Sequence, residues 1–366
     1  MRSSMRSDDA WVPARNVYHV RMRRALTPTL IALVTLASQL SWAQTPSLAT
    51  VRGLAPDAAG ESLAVWIDAG VLLRGGDGSY SFLCAAAWRA EGAEAEWMAQ
   101  TAPGRPVIAG AQGPFMALEH GCEWARISGA ADSAHVAGMH APEPGGLTLY
   151  FALTSEFGPD ELVRTTDGGF TSSNVGGFSQ LDKTLTGVVG EGEVLVVSGI
   201  RTVSQTGILW RSLDAGQTFE ELETDGDVSG DLAGMGNQIV WLAKGTSLNA
   251  VDVLTGEAVA AVSLDDAPRS MAVTPEGVVW WVASDGGVRN HDPLTGEGSS
   301  FDVSATEVVS HDDSILLGVS ADLPGDPLVL KLSSDEESWE VLAELPSVWS
   351  YPEGCETLMA LSLIHI

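Results

Sequence analysis

Basic side chains are scarce in this chain. Its 366 residues include 19 Lys and Arg against 48 Asp and Glu, which gives a formal net charge of −29. A surface of that sign repels nucleic acid and anionic lipid at long range, so no nucleic-acid partner is expected. Strong acidity also attracts cations, but it is more typical of a solvated surface than of a metal site.

Cysteine is scarce as well, with only Cys84, Cys122 and Cys355. In an exported protein, one disulfide and one free thiol would be the simplest arrangement, and the sequence does not select the pair. The alternative is that all three are small buried side chains. Their spacing does not resemble a zinc site.

Several catalytic motifs are missing. The sequence contains no Gly-x-Ser-x-Gly, no His-Glu-x-x-His and no phosphate-binding Gly-x-x-x-x-Gly-Lys. This argues against the hydrolases and nucleotidases that depend on those motifs. His135 and His140 lie five residues apart in a segment that resembles a loop, and we interpret them as solvated residues rather than as a metal pair.

Long apolar runs are missing except near the N-terminus. Arg21, Arg23 and Arg24 precede the short apolar stretch Ala25–Leu40, and Ser41-Trp42-Ala43 fits a cleavage site. Residues 1–43 are therefore predicted to be an N-terminal extension and a cleavable signal peptide. An uncleaved anchor is the weaker alternative, because a spanning helix needs ~20 apolar residues.

Cleavage would place the mature start near Gln44 and leave 13 basic and 46 acidic residues, a net charge of −33. The protein is then expected to be secreted, periplasmic or on the cell surface. We expect no membrane insertion after the signal is removed.

Acidic residues recur along the chain at nearly even intervals. Successive members are separated by 42, 48, 47, 38, 40 and 43 residues. They are Asp77, Glu119, Asp167, Asp214, Asp252, Asp292 and Asp335. A period of ~40–50 residues built from short strands is typical of a β-propeller. We predict an all-β fold in which residues 44–366 form one β-propeller domain with about seven four-stranded blades. The predicted blades are 47–90, 91–130, 131–178, 179–224, 225–264, 265–304 and 305–346.

The second strand of each predicted blade is the most apolar, for example 238–244 (QIVWLAK) and 277–283 (GVVWWVA). This is expected where neighbouring blades cover both faces of a strand. Residues 347–366 resemble two further strands. They either complete the first blade or begin a blade that is cut short at the C-terminus, which leaves the blade number and the native end open.

The turns around the acidic residues share a pattern. Residues 212–219 (SLDAGQTF) and 165–171 (TTDGGFT) resemble the Asp-box of bacterial neuraminidase repeats, Ser-x-Asp-x-Gly-x-Thr-Trp. Weaker copies surround Asp77, Glu119 and Asp335. The resemblance spans roughly residues 47–346 and implies a propeller in which the acidic residue organises a peripheral hairpin turn rather than catalysing a reaction. The predicted structural Asp-box residues are Asp77, Glu119, Asp167, Asp214 and Asp335.

The same resemblance raises the sialidases, which bind a carboxylate through an arginine triad and use a Tyr–Glu pair with an acidic proton donor. Their Phe-Arg-Ile-Pro element is absent here, and Gly104-Arg105-Pro106-Val107 is the nearest string. Arg164 and Arg211 immediately precede acidic turns, so we place them on the outer rim. No catalytic residue is assigned.

One segment resembles the first half of a calcium loop: Asp225, Asp227, Ser229 and Asp231 follow the pattern Asp-x-Asp-x-Ser-Gly. Gly236 stands where the bidentate Glu would be expected. We therefore expect no cofactor, with calcium at these four residues as the alternative.

These observations favour an exported, monomeric, non-catalytic propeller that binds a protein, a glycan or a cation as a scaffold. The alternative is a sialidase-like or xyloglucanase-like glycoside hydrolase with carboxylates in the central channel. A third possibility is an assembly factor similar to the photosystem-assembly propellers. Convergent carboxylates in the channel would favour the enzyme, and an apolar patch on one face would favour the binding module.

Overall fold

The structure is a computed structural model. It describes residues 50–57, 62–67, 70–75, 79–84, 88, 95–101, 105–118, 124–129, 134–143, 145–156, 158–175, 182–224, 228–311, 314–319, 328–333 and 338–345. All of them belong to the compact unit Leu48–Ile366. The predicted signal peptide, the three cysteine side chains and residues 347–366 lie outside what is described.

The described chain forms seven antiparallel sheets of four strands, each taken in chain order. The fold is therefore the predicted all-β, seven-bladed β-propeller. The strands are β1–β4 (Val51–Pro56, Leu63–Ile67, Gly70–Arg74, Tyr80–Cys84), β5–β8 (Ala95–Thr101, Arg105–Gly110, Gly113–Ala117, Trp124–Arg126), β9–β12 (His135–His140, Leu149–Thr154, Glu161–Thr165, Ser173–Asn174), β13–β16 (Lys183–Glu191, Val194–Arg201, Gly207–Ser212, Glu220–Leu222), β17–β20 (Asp231–Gly236, Ile239–Lys244, Ser247–Asp252, Ala258–Ser263), β21–β24 (Ser270–Val273, Val279–Val282, Gly287–His291, Gly298–Ser304) and β25–β28 (Glu307–His311, Ser314–Val319, Leu328–Ser333, Glu340–Leu345).

The first strand of each blade contacts the first strand of the next, and β25 contacts β1. The inner strands β1, β5, β9, β13, β17, β21 and β25 therefore surround the axis of the ring. The first blade takes its four strands from Val51–Cys84 and the last from Glu307–Leu345. A shared apolar cluster, which includes Val51, Leu54 and Leu316, joins these two blades.

The second strands carry the core. β10, β18, β22 and β26 are buried along nearly their whole length, as their apolar sequences predict. Trp241 on β18 and Trp280 on β22 are fully buried, and the Trp241 indole donates to the Gly277 carbonyl of the next blade at 2.9 Å. These strands are covered on both faces because each blade packs between two others.

Five inner strands carry a β-bulge near their midpoint or start. The bulged residues are Arg52, Glu96, Ala137, Thr186 and Ala233. Four of them precede a glycine. A Cβ added at Gly138 would lie 2.6 Å from the Cα of Gly187, so glycine allows the two inner strands to approach backbone to backbone. The bulges thus accompany close packing around the axis.

Because the strands of each blade are antiparallel, all strand ends lie on one of two faces of the ring. We call the face at which the inner strands begin the upper face, and the face at which they end the lower face. The lower face carries the connections between first and second strands and between third and fourth strands. In blades 3–6 its described segments are 141–143, 145–148, 166–172, 192–193, 213–219, 237–238, 253–257, 274–278 and 292–297.

Candidate functional site

The acidic turns lie between the third and fourth strands of their blades. Asp167 and Asp214 occupy equivalent places in blades 3 and 4. The Thr218 amide donates to Asp214 Oδ1 at 2.8 Å, and the Thr218 hydroxyl donates to Oδ2 at 2.7 Å. The Thr171 amide and hydroxyl donate to Asp167 at 2.9 and 2.6 Å. Each carboxylate therefore ties its turn together. Asp77, Glu119 and Asp335 lie outside the described residues.

These hydrogen bonds also change the acidity of the two carboxyls. The Thr218 amide, followed by the hydroxyls of Ser212 and Thr218, lowers the pKa of Asp214 to about 2. Burial alone would raise the pKa of Asp167, but hydrogen bonds from Thr171 and Thr165 outweigh it and lower that pKa to about 2. Both groups are stable anions, which suits a structural role and does not suit proton transfer.

Blades 5 and 6 use a different acidic turn. Asp252 Oδ1 accepts the Leu254 and Thr255 amides, both at 2.8 Å. Asp292 accepts the Leu294 amide and the Thr295 hydroxyl at 2.8 and 2.9 Å. Burial opposes the shift, yet these hydrogen bonds and the neighbouring His291 lower the pKa of Asp292. All four described acidic positions are thus used within their own turns.

Three of these turns also contact a neighbouring blade. The Tyr150 hydroxyl of blade 3 donates to the Ala215 carbonyl of blade 4 at 3.0 Å. A Cβ at Gly169 would meet Met116 and Ile127 of blade 2. Arg211 on β15 donates to the Val253 carbonyl of blade 5 at 2.7 Å. Each turn therefore packs against the blade before it, so these hairpins are held from two sides.

The channel mouth is the ring of residues at or near the start of the inner strands. It contains Arg52, Glu96, His135, Lys183, Asp231, Ser270 and Glu307, one from each blade. Six of the seven are ionisable. Periodicity alone does not reveal this ring, because it appears only when the starts of the seven inner strands are brought together around the axis.

Glu96 and His135 connect blades 2 and 3 across the mouth. His135 Nε2 lies 3.1 Å from Glu96 Oε2, and both side chains remain about half exposed. Thr154 Oγ1 lies 3.4 Å from His135 Nδ1. An exposed pair of this kind contributes little to stability. It does give the mouth a local carboxylate–imidazole arrangement.

Glu307 begins β25 beside blade 6. Burial raises the pKa of its carboxyl to about 8, although a hydrogen bond involving Ser270 acts in the opposite direction. The Ser270 hydroxyl also accepts the Val308 amide at 3.2 Å. Glu307 therefore stays largely protonated at neutral pH, the form that donates a proton.

The prediction of a loop at His135 and His140 is wrong, because both residues lie on β9, at its opposite ends. Five residues along a strand span about 17 Å, which is too far for one metal ion. Burial lowers the pKa of His140 to about 4, so this imidazole is neutral. Loop-like composition was misleading because Gly138 packs against the next inner strand.

Of the calcium candidates, Asp225 and Asp227 lie outside the described residues. Lys244 Nζ donates to the Ser229 hydroxyl at 2.6 Å, and Asp231 begins β17. An ammonium group on Ser229 competes with any cation there. In the described parts of the chain, no group of three or more His, Cys, Asp or Glu could hold a metal ion.

The two arginines that precede acidic turns lie away from the inner strands. Arg164 and Arg211 belong to the third strands β11 and β15. Arg211 is further engaged by Glu220 at 2.7 Å. Arg52 is the one arginine on an inner strand within the described ranges. This distribution does not bring three arginines to one substrate carboxylate.

The lower face carries an apolar arc. We use this name for Leu147, Phe170, Leu213, Leu254 and Leu294, whose exposed fractions run from 43% to 65%. They account for five of the eight exposed large apolar residues in the described structure, and they follow blades 3, 4, 5 and 6 in order. The sequence pattern highlights the acidic residue of each turn and not its apolar neighbour. The missed signal is that an apolar residue recurs in turns otherwise made of polar residues and glycine.

No helix within the described ranges is long and apolar enough to cross a membrane.

Comparisons with known proteins return structural similarity only. No family model matches the chain, and no curated protein matches it by sequence. The WD40 repeats of RRP9 are 12% identical, with a TM-score of 0.54, over 75% of this chain and 88% of theirs. Hydrazine synthase of Kuenenia stuttgartiensis is 10% identical, with a TM-score of 0.53, over 75% and 93%. YCF48 bound to a D1 peptide is 14% identical, with a TM-score of 0.46, over 70% and 82%. At these identities the likeness extends to the propeller fold alone.

Proposed function

We propose that this chain is an exported β-propeller that binds a protein partner through its lower face and serves as a scaffold. The apolar arc is the observation that carries the proposal. Exposed apolar side chains that occur singly need no explanation, and we interpret five on one face of successive blades as parts of one interaction surface.

The way the arc is held supports the same function. Leu213, Leu254 and Leu294 each lie beside an Asp that fastens the turn with hydrogen bonds. Gly168 donates to the Leu147 carbonyl at 2.8 Å, which fixes Leu147 against the turn of Phe170. A surface ordered before binding loses less conformational entropy when a partner docks. The Asp167 and Asp214 turns also support grouping the chain with the Asp-box propellers.

The test is cross-linking capture from the compartment in which the protein resides. The wild type is compared with Leu254→Ser/Leu294→Ser and with the control Val203→Ser, which is 92% exposed on the upper face. We expect a defined partner to be recovered by the wild type and the control and lost with the double variant. Equal recovery by all three, or no partner, would contradict the proposal.

Export is part of the proposal and rests on the sequence of residues 21–43. Mass spectrometry of the mature protein is expected to find an N-terminus near Gln44 in an extracytoplasmic fraction. Light scattering is expected to give a monomer. An intact N-terminus in the cytoplasm would refute export.

A glycoside hydrolase is the second candidate, and Glu307 is the observation that favours it. A carboxylic acid kept protonated near neutral pH has the property of a glycosidase general acid. Hydrolysis of a glycan panel that Glu307→Gln abolishes, while its fold is retained, would support this candidate. A panel without any hydrolysis would remove it.

Calcium at Asp225, Asp227, Ser229 and Asp231 remains a proposal. If calcium binds there, added calcium should raise the Tm of the wild type and have no effect on Asp225→Asn/Asp227→Asn. An identical Tm with calcium and with chelator would reject the site.

A further inference from the structure

We propose that the lower face of blades 4–6 recognises a basic segment of its protein partner in which Lys or Arg alternates with apolar residues. This inference rests on the proposed function and adds the chemistry of the partner. It combines the apolar arc with the distribution of charge around it.

The described turns of this face carry charge of one sign. The described lower-face segments of blades 3–6 contain eight acidic residues and no Lys, Arg or His. They are Glu143, Asp167, Glu193, Asp214, Glu257, Glu276, Asp292 and Glu297. The five glutamates are exposed. The structure gives none of these five an ion-pair partner among the described side chains, so they remain available to a docking cation.

The aspartates supply charge that does not titrate near neutrality. Hydrogen bonds within the turns lower the pKa of Asp214 and hold it ionised. Asp292 is shifted in the same direction. The field of the face therefore persists across the physiological pH range, and it attracts cationic groups over about one Debye length.

The location of the nearby arginines restricts the proposed binding site to blades 4–6 of the apolar arc. At the other end, the Arg105 guanidinium lies 5.1 Å from the centre of the Phe170 ring, which places a cation beside blade 3. Arg211 is already engaged by Glu220 and by the Val253 carbonyl. Leu213, Leu254 and Leu294 thus lie in blades whose lower-face glutamates have no ion-pair partner among the described side chains, and Leu294 is the most exposed of the three at 65%.

Other occupants fit these observations less well. Nucleic acid and anionic lipid are repelled by a chain with a net charge of −29. A second copy of the chain would bring like charges together. A glycan is recognised best by aromatic stacking, whereas blades 4–6 offer leucines. A basic segment with apolar residues can form ion pairs with the carboxylates and apolar contacts with the leucines.

The test uses three synthetic peptides of about 15 residues: Lys alternating with Leu, Lys with Ser, and Glu with Leu. Fluorescence anisotropy measures their binding to the full protein. We expect the Lys/Leu peptide to bind at least about tenfold more tightly than either other peptide. Its affinity should fall with added salt.

Two variants and two controls locate the binding. Leu213→Ser/Leu254→Ser/Leu294→Ser should weaken the Lys/Leu peptide about tenfold, and Glu257→Gln/Glu276→Gln/Glu297→Gln should weaken it and flatten its salt dependence. Val203→Ser and Glu156→Gln, both exposed on the upper face, should leave it unchanged. Circular dichroism checks that each variant is folded.

The inference would be overturned if the Lys/Ser and Lys/Leu peptides bound equally, or if the leucine variants bound the Lys/Leu peptide as the wild type does. Either result would indicate non-specific attraction of cationic peptides to the acidic surface. If the leucines are needed for partner capture but not for Lys/Leu binding, the partner chemistry is wrong and the proposed function stands. If neither capture nor peptide binding depends on them, both fail.

Discussion

Asp214 and Glu307 carry the same functional group, yet the fold moves their pKa values in opposite directions. Asp214 accepts hydrogen bonds from its own turn, and its pKa is lowered to about 2. Glu307 lies at the start of an inner strand, and burial raises its pKa to about 8. Hydrogen bonds favour the anion and desolvation favours the neutral acid, so the first residue suits structure and the second suits proton donation.

Asp214→Ala should lower the Tm at pH 7, because the Ser212 hydroxyl and the Thr218 amide and hydroxyl lose their acceptor in the turn. A folded pKa below the unfolded value stabilises the protein above about pH 4 and stops doing so as the pH falls toward 2. The difference from wild type in thermal unfolding should therefore shrink over that window. Glu276→Ala, in an exposed turn on the same face, is the control and should change little. A difference that does not depend on pH would contradict the assignment.

Glu307→Gln should have the opposite pH dependence. A carboxyl with a raised folded pKa stabilises most below its unfolded value near 4.5, and that contribution is lost as the pH rises toward 8. Above pH 8 the wild type should bear the cost of a buried anion, on the order of a few kcal/mol. Denaturant titrations at pH 4 and pH 9 should show the variant gaining stability only at pH 9. Equal differences at both pH values would refute the protonated carboxyl.

At the scale of the element, the connection between third and fourth strands does two tasks. It closes a hairpin, and it packs against the preceding blade. Gly216 shows both, with φ of 81° and with Leu195, Tyr150 and Val175 around the place of a Cβ. Gly296 has a similar φ of 73° but nothing within 4 Å of that place. Substitutions at Gly216 and Gly296 therefore separate the cost of a positive φ from the cost of contact with the neighbouring blade.

Gly296→Ala should cost about 1 kcal/mol, the cost of a positive φ in a residue with a Cβ. Gly216→Ala should cost about 1 to 3 kcal/mol more, because the added methyl meets Leu195 at 3.1 Å and Tyr150 at 3.3 Å. Chemical denaturation of both variants measures the difference. Equal losses would mean that the turn does not press on the neighbouring blade.

At the scale of the whole molecule, ring closure depends on side-chain packing in the described structure. The first and last blades each supply their own four strands, and the contact of β1 with β25 and β26 joins them. Val51, Leu63, Leu316 and Leu330 belong to the core at this junction. A propeller closed in this way depends on that core for its cooperative unfolding.

Leu316→Ala should therefore destabilise the protein by about 2–5 kcal/mol, because Leu316 is 3% exposed at the junction. Val341→Ala, on the outer strand of the same blade and 56% exposed, should change stability by less than about 0.5 kcal/mol. Denaturant unfolding compares the two variants. A loss at Leu316 no larger than at Val341 would show that closure does not depend on this cluster.

The ~45-residue repeat in the sequence was enough to predict the seven-bladed propeller, because each blade is a local unit whose strands pair in chain order. The predicted second strands 238–244 and 277–283 agree with β18 (Ile239–Lys244) and β22 (Val279–Val282) to within two residues. Local pairing also explains why the burial of the second strands could be read from their apolar runs. The same reasoning placed His135 and His140 in a loop, which was wrong, because this segment pairs with β10 and Gly138 lies opposite Ala152.

The candidate sites were decided by the tertiary structure. The channel mouth joins Glu96 with His135 and Glu307 with Ser270, which are each about 40 residues apart, and the apolar arc gathers one exposed side chain after another from four blades. The sequence by itself determined the blades, because its periodicity reflects the pairing of strands that are close together in the chain. Which side chains meet around the axis or share a face depends on how the blades are arranged, and that arrangement exists only in the closed ring.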